Sequence, residues 1–280
     1  MNKHKAGKIT RWLLTKLVLI IVFLIVVFPF FWLVLSSFKI EADIIKYPPT
    51  VFPPNMNFST LQWQLLFERV HMWVFTRNTI IFAVSVMIIA TFFESMAGYA
   101  FARLNFRGAN KIFNVLITCM MIPGVISMIP LYMEIYYMGI YNTFAGLILP
   151  RMSAIFGIYL MRSFFVSLPK DLEEAARIDG MNEFGIYLKI MLPLCKPAVI
   201  TLCIFTLMFN WNDLLYPLMM TGSTEMRTIP VGLAMFVGQR TADYGPTMAG
   251  TVFSCVPLFV VYMFAQKYFQ QGVAMSGMKE

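Results

Sequence analysis

Six apolar runs, each close to the length that crosses a lipid bilayer, constrain this chain more than any other feature of its sequence. A bilayer core takes about 20 apolar residues in a helix, and backbone polar groups at that depth must be bonded within the helix. The chain is 59% hydrophobic and 13% charged, whereas soluble domains average about 25% charged residues. The sequence therefore predicts an all-α polytopic membrane protein with six transmembrane helices, at Trp12–Leu35, Asn78–Phe101, Ile112–Tyr132, Thr143–Phe165, Pro197–Thr221 and Gly245–Tyr268.

The distribution of Lys and Arg between these runs predicts the orientation. With the N-terminus inside, the inner segments hold fifteen of the 22 Lys and Arg residues and the outer segments six, Arg151 lying within a run. Basic residues favour the cytoplasmic side, so both termini are expected in the cytoplasm. The net charge of +8 follows from this topology and does not indicate nucleic-acid binding. The first run is too long for a cleavable signal peptide and lacks a small-residue cleavage site, so we expect it to remain as a span.

One polar segment, Ser167–Pro197, interrupts the apolar second half of the chain and falls on the cytoplasmic side. Its first part predicts a short helix with acidic residues at the positive end of the helix dipole. Gly180 is suited to end that helix in the left-handed conformation, and Asn182 to cap a second helix. The first helix carries its negative charge on Asp171, Glu173 and Glu174 and a small apolar face on Leu172, Ala175 and Ala176. We expect a helix–turn–helix whose alanines let a partner's backbone approach closely.

The same segment carries a resemblance to a known family. Glu174-Ala175-Ala176, Gly180, Ile190 and Leu192-Pro193 resemble the EAA loop of ABC-importer permeases, EAA-x3-G-x9-I-x-LP, with no departure in residue or spacing. The resemblance implies the fold of a type I importer transmembrane domain, and a coupling helix that seats in a cleft of a cytoplasmic ATPase. The alternative is a solvated amphipathic hairpin without a partner. The residues implied in ATPase coupling are Glu174, Ala175, Ala176, Arg177, Asp179, Gly180, Ile190, Leu192 and Pro193.

The fifth run contains polar residues that are costly at membrane depth. Asn210-Trp211-Asn212-Asp213 is similar to the W-N-x-[FLY] pattern of the maltose-type, carbohydrate-uptake permeases. Polar groups in a span tend to face a bundle interior or a wet cavity, so these residues are candidates for lining a translocation pathway. Hydrogen bonding between helices alone is the alternative.

Three ionisable residues lie within runs: Glu94, Arg151 and Asp213. Arg151 and Asp213 each lie eight residues from the outer end of their runs, which is about 12 Å at 1.5 Å per residue. Opposite charges at matched depth predict an Arg151–Asp213 pair, or a joint polar patch on the pathway. The alternative is an arginine that extends to the outer interface. Glu94, nearer the cytoplasm, is expected to be a packing or helix-bonding group.

Two external segments and the third run add expectations. Ser36–Thr76 contains Pro48-Pro49 and Pro53-Pro54 and predicts an extended, proline-stiffened excursion rather than a domain. Pro123 and Pro130 predict bends in the third run, either shaping a pathway or passive. In the last external loop, Gly222–Tyr244, the apolar residues Val231, Leu233, Met235 and Phe236 are expected to be exposed. By resemblance this loop contacts a solute-binding protein, through Glu225, Arg227, Leu233 and Phe236.

The residue inventory argues against an enzyme. His4 and His71 are the only histidines and lie outside the runs, and the H-E-x-x-H and G-x-S-x-G motifs are absent. There is no G-x-x-x-x-G-K-[ST] phosphate loop, so the chain cannot bind ATP through such a motif. The four cysteines lack metal-ligand spacing and are expected to be apolar fillers. We therefore expect no catalytic residue, no metal site and no cofactor. An ion-driven secondary transporter remains the rival class.

The resemblance implies a permease subunit of a binding-protein-dependent ABC importer for a sugar or oligosaccharide, with glycerol phosphate or another polar solute as the alternative cargo. It implies a second permease subunit in a heterodimer, two cytoplasmic ABC ATPase subunits and an extracellular or periplasmic solute-binding protein, besides membrane lipid and with no nucleic acid. The implied location is the cytoplasmic membrane of a prokaryote. The expected divisions are residues 1–77 with the first span and external loop, the core 78–268, and a cytoplasmic tail 269–280.

Overall fold

The structure is a computed structural model that describes the backbone of residues 3–236 and 243–276 and the side chains of residues 11–236 and 243–266. Its regular elements in those ranges are all helical. The α-helices are α1 (Lys3–Ser36), α2 (Glu41–Ile44), α3 (Leu61–Arg69), α4 (Met72–Arg103), α5 (Ala109–Cys119), α6 (Met128–Tyr137), α7 (Phe144–Ile148), α8 (Ile155–Ser167), α9 (Asp171–Ile178), α10 (Glu183–Ile186), α11 (Leu192–Leu194), α12 (Lys196–Trp211), α13 (Leu215–Met220), α14 (Ile229–Ala234) and α15 (Tyr244–Ser276). Short 3₁₀ turns occupy Pro54–Met56, Leu149–Arg151 and Thr224–Met226, and a π-helical turn occupies Tyr187–Met191.

In the described chain, three helical stretches are long and apolar enough to cross a membrane: Arg11–Ser36, Met72–Arg103 and Tyr244–Gln266. Two bent pairs raise this to five if each pair is one span. Phe144–Arg151 joins Ile155–Ser167 at 42°, and Glu183–Leu194 joins Lys196–Trp211 at 84°. The structure thus supports three to five of the six predicted spans by length and composition.

The expectation of one continuous span at residues 112–132 is wrong. Helix α5 ends at Cys119, and α6 begins at Met128. Pro123 lies between them; it has no N–H to continue the ladder, and it restricts the residue before it. Pro130 is in the first turn of α6, where a missing N–H costs little. The two prolines therefore act differently, and the first accompanies a full break rather than a bend.

Two compact units divide the chain, residues 1–70 with 233–255 and residues 71–232 with 256–280. In the first unit the segment after α1 is not simply extended, because it forms α2 and α3. Arg69 pairs with Asp243 at 2.7 Å, and Glu41 accepts hydrogen bonds from the backbone N–H groups of Tyr244 and Gly245. The expectation of an extended excursion is therefore wrong for this segment.

Helix α4 is the centre of the second unit, where it packs against α8 and α12. A Cβ at Gly98 would lie 2.7 Å from Met161 Cβ and 2.9 Å from the backbone nitrogen of Arg162. Only a glycine permits that approach between α4 and α8. The absence of a side chain at Gly98 therefore allows tight packing of these two helices.

Candidate coupling loop and translocation cavity

The polar loop forms the predicted helix–turn–helix. Helix α9 has Asp171, Glu173 and Glu174 in its first turn. Gly180 has φ +79° just beyond its end, with open space around it. Asn182 Oδ1 accepts a hydrogen bond from the backbone N–H of Gly185 at 2.7 Å and so caps α10. Helix end and cap are confirmed at the residues that the sequence indicated.

The alanines of α9 do not share one exposed face. Glu174 and Ala175 are exposed, whereas Ala176 is 5% exposed and packs into the core beneath the loop. The expected alanine face is therefore wrong for Ala176. Leu172 and Ile178 are exposed, Ile178 at 86%. The outer side of α9 thus combines the carboxylates of Asp171 and Glu174 with apolar side chains.

Glu173, one position before the motif glutamate, holds α9 to the membrane helices. Its carboxylate lies 3.0 Å from Nε of Arg103 at the end of α4, and the two side chains are 4% and 3% exposed. Arg103 also donates to the carbonyls of Phe165 and Leu168. This buried pair joins α4, α8 and α9. The sequence did not indicate it, because its two members are distant along the chain.

A second set of contacts joins the two helices of the loop. Arg177 Nε lies 2.7 Å from Glu183 Oε1, and Arg177 Nη2 lies 3.4 Å from Glu173 Oε2. Tyr99 of α4 donates to Glu183 Oε2 at 3.0 Å. The hydrogen bond to Glu183 raises the pKa of Arg177, and Arg177 in turn lowers the pKa of Glu183. Both groups therefore stay charged at neutral pH, and α4 reaches both halves of the loop.

The remaining motif residues support the loop from beneath or lie at its edge. Ile190 and Leu192 are partly buried against the core, while Pro193 and Asp179 are exposed. The π-helical turn contains Tyr187, whose hydroxyl lies 2.7 Å from that of Ser95 on α4. These placements favour a scaffolding role for the Ile-x-Leu-Pro end of the motif.

The predicted pair of Arg151 and Asp213 is present. Nη2 of Arg151 lies 2.6 Å from Oδ2 of Asp213, with side chains 22% and 12% exposed. The arginine carbon Cζ lies 4.3 Å from the ring centroid of Tyr216 and 5.2 Å from that of Phe209. Asp213 Oδ1 also accepts from the backbone N–H of Tyr216 at 3.2 Å. Each member of the pair lies at an interruption, Arg151 between α7 and α8 and Asp213 between α12 and α13.

Glu94 bonds to the first of these interruptions. Its Oε1 accepts from the backbone N–H of Ala154 at 2.6 Å, just before α8. A Cβ at Gly157 would lie 1.8 Å from Glu94 Oε2, so only glycine admits the carboxylate there. The expected helix-bonding role of Glu94 is therefore confirmed. The N–H of Ala154 lies in the break before α8, and within a membrane protein such a backbone group needs a bonding partner, which the carboxylate supplies.

A cavity of about 950 Å³ lies beside the two interruptions. Of the predicted pathway residues, Arg151 and Asn210 line it. Asp213 does not line the cavity but pairs with Arg151, which does. Trp211 is buried. Asn212 is exposed and donates a hydrogen bond to the Met208 carbonyl. The wall includes the polar side chains of Glu94, Ser127, Arg151, Ser153, Thr206 and Asn210 and the aromatic rings of Phe156, Phe205, Phe209 and Tyr216.

The sequence profile of one family, described as the inner membrane component of binding-protein-dependent transport systems, matches residues 94–275. The chain belongs to this family. The match begins at Glu94 and includes the polar loop and most of the cavity wall. As an inner membrane component of such a system, the chain is a multi-pass cell-membrane protein.

Two curated relatives are similar over nearly their whole length. The chain is 34% identical to an arabinooligosaccharides transport system permease protein of Halalkalibacterium halodurans, over 99% of both chains. It is 32% identical to the permease protein of the same description in Bacillus subtilis, over 91% of this chain and 92% of that one. A bacterial ABC transporter involved in the import of the acidic polysaccharide alginate has a chain of the same fold, with TM-score 0.81, 22% identity, and coverage of 94% and 98%. The fold is therefore that of an ABC-importer permease.

The segment predicted as the last external loop, Gly222–Tyr244, is bonded to α4 through two of its carbonyls. Asn78 Nδ2 donates to the carbonyls of Glu225 at 2.6 Å and Arg227 at 3.0 Å. The expectation of exposed apolar residues is wrong at Val231, which is 1% exposed, and at Phe236, which is 8% exposed. Glu225 and Met235 are exposed, and Leu233 is half-buried. Arg240, among residues 237–242, lies outside the described residues.

Proposed function

We propose that this chain is one of two six-span permease subunits of an ATP-driven, binding-protein-dependent ABC importer. One observation supports this most directly: α9 presents Glu174 and Ala175 outward while the neighbouring Glu173 is locked to Arg103 in the protein interior. A helix used as a lever needs a free docking side and a rigid attachment. Both termini and the loop are proposed to lie in the cytoplasm, as the distribution of basic residues predicts.

The proposed transmission runs along α4. Its cytoplasmic end holds the loop through Arg103, Tyr99 and Ser95. The adjacent residue, Glu94, bonds to the start of α8 beside the cavity. A displacement of α9 by the closing ATPases would therefore reach the interruption that carries Arg151 within a few turns of one helix.

The proposed cargo is a sugar or oligosaccharide. Support comes from the relatives named for arabinooligosaccharide transport and from the cavity wall, which combines aromatic faces with a few polar groups. Another polar solute such as glycerol phosphate is the second candidate. The solute-binding protein is proposed to contact the outer loop near Glu225, Arg227 and Leu233. The sister permease in a heterodimer and two cytoplasmic ABC ATPases complete the proposed assembly, and ATP hydrolysis belongs to the ATPases.

Reconstitution of the complete complex in proteoliposomes tests this assignment. Wild type should accumulate arabino-oligosaccharide only with ATP and binding protein. Glu174→Ala should lower uptake about tenfold or more and weaken ATPase retention, because the docking carboxylate is lost. Glu134→Ala, at an exposed glutamate on α6, is the matched control and should leave uptake unchanged. Uptake driven by an ion gradient without nucleotide would instead show a secondary transporter.

A further inference from the structure

The described wall of the cavity beside the interruptions has little positive charge. Among the described residues that line it, Arg151 is the one basic side chain, and that arginine is already paired with Asp213 at 2.6 Å. The pair contributes no net charge. Glu94, also on the wall, adds a carboxyl group and no positive charge in either protonation state.

Two buried oxygens make the electrostatic potential at the wall more negative. Glu94 Oε2 and Asn210 Oδ1 are enclosed and accept no hydrogen bond within the described structure. Oxygens without a donor contribute negative potential, and a low-dielectric membrane interior screens that potential poorly. An anionic solute would therefore meet repulsion and would find no free cation to offset its desolvation.

A neutral polyol carries no charge, so it avoids both the electrostatic repulsion and the desolvation of an anion. Exposed aromatic rings at Phe156, Phe205 and Phe209 suit the C–H faces of a sugar ring. Ser127, Ser153 and Thr206 offer hydroxyl groups. The volume of about 950 Å³ is within the range of about 300–1,000 Å³ that is typical for ligand sites.

We propose that this cavity is a subsite for a neutral saccharide and discriminates against uronic acids, sulfonated sugars and sugar phosphates, with Asp213 neutralising the charge of Arg151 on the wall. The inference rests on the proposed import function and narrows its cargo to uncharged sugars. It separates the chain from the structurally similar transporter, which is involved in the import of the acidic polysaccharide alginate. It also disfavours glycerol phosphate.

Equilibrium dialysis against the complete ATP-free complex tests the inference, with the binding protein omitted so that its own selectivity does not enter. The probes are radiolabelled arabinobiose, which is neutral, and digalacturonate, which is anionic. Wild type should bind arabinobiose at least about tenfold more tightly, a difference of about 1.4 kcal/mol. Equal or tighter binding of digalacturonate, or no binding of either sugar, overturns the proposal.

Two variants attribute the selectivity to this wall. Asp213→Asn leaves the Arg151 charge without a counter-ion and should tighten digalacturonate binding about tenfold, with less than about threefold change for arabinobiose. Glu94→Gln removes the carboxyl without touching the pair and should shift the ratio in the same direction, which keeps the test valid if Asp213→Asn does not fold. Glu134→Gln removes a charge outside the cavity and should change neither affinity.

The failures are distinguishable. If wild type binds both probes equally yet imports arabino-oligosaccharide with ATP and binding protein, the charge discrimination is refuted and the import function stands. If neither Asp213→Asn nor Glu94→Gln alters the ratio, the selectivity resides elsewhere in the complex and the subsite is refuted. Absence of ATP-dependent import refutes the underlying function.

Discussion

The coupling loop and the cavity are both built around an arginine–carboxylate pair, and the two pairs differ in their surroundings. Arg103 and Glu173 are 3% and 4% exposed and are packed among backbone carbonyls. Arg151 and Asp213 are 22% and 12% exposed and border a cavity between aromatic rings. A charge pair without access to solvent cannot be broken cheaply, whereas a half-open pair can exchange partners. We infer a rigid joint at the loop and a rearrangeable one at the cavity.

The largest expected effect comes from breaking the buried pair on one side. Arg103→Met leaves the interior carboxylate of Glu173 with only the 3.4 Å contact to Arg177, and should cost about 3 kcal/mol of stability. Thermal unfolding of the purified complex measures this, with Arg107→Met, at an exposed arginine, as the control. The double variant Arg103→Met/Glu173→Leu should recover much of the loss. If Arg103→Met unfolds at the wild-type temperature, the loop is not held by this pair.

Gly157→Ala should act next most strongly, and on the cavity side. The added Cβ would lie 1.8 Å from Glu94 Oε2, so the carboxylate must leave the Ala154 N–H. Loss of a hydrogen bond to a buried charged group costs about 1–3 kcal/mol. Reduced uptake with normal ATPase binding is the expected result. Gly124→Ala adds a methyl group to the wall of the same cavity but meets nothing within 4 Å, so it controls for the added volume. Equal effects of the two variants would contradict a specific role of the Glu94 bond.

Arg151→Met breaks the pair at the cavity. Its partner Asp213 is partly exposed and keeps the backbone bond from Tyr216, so the destabilisation should be smaller, about 1–2 kcal/mol. The same unfolding assay applied to Arg151→Met and Arg103→Met ranks the two pairs. A reversed ranking would contradict the distinction between a rigid and a rearrangeable joint.

Gly180→Ala should cost no more stability than Arg151→Met. The residue has φ +79° and open surroundings, so the cost is backbone strain alone, about 1–2 kcal/mol. Gly108→Ala is a matched control, since Gly108 has φ +87° and is equally open. Both variants should lose similar stability, while only Gly180→Ala should lower uptake per bound ATPase. Parallel loss of uptake in both would place Gly180 among purely structural residues.

Local sequence signals predicted the loop well because their physics is local. A glycine free to adopt positive φ and an asparagine able to bond the amide three residues later need no tertiary context, and Gly180 and Asn182 act as expected. The predictions that proved wrong depend on contacts between segments that are distant in the sequence. Ala176 was assigned to an outer face but is buried, and Phe236 was expected to be exposed but is not.

The amino-acid sequence was enough to predict that this chain enters a membrane, that α9 ends near Gly180, and that Arg151 pairs with Asp213. Each of these follows from hydrophobic length, from residue-level conformational preference or from counting along a helix. Only the folded molecule shows that Glu173 rather than its neighbour pairs with Arg103, that Glu94 bonds to the start of α8, and that the third apolar run is divided. Those outcomes depend on which elements pack together, and burial is a property of the assembled fold rather than of any one segment.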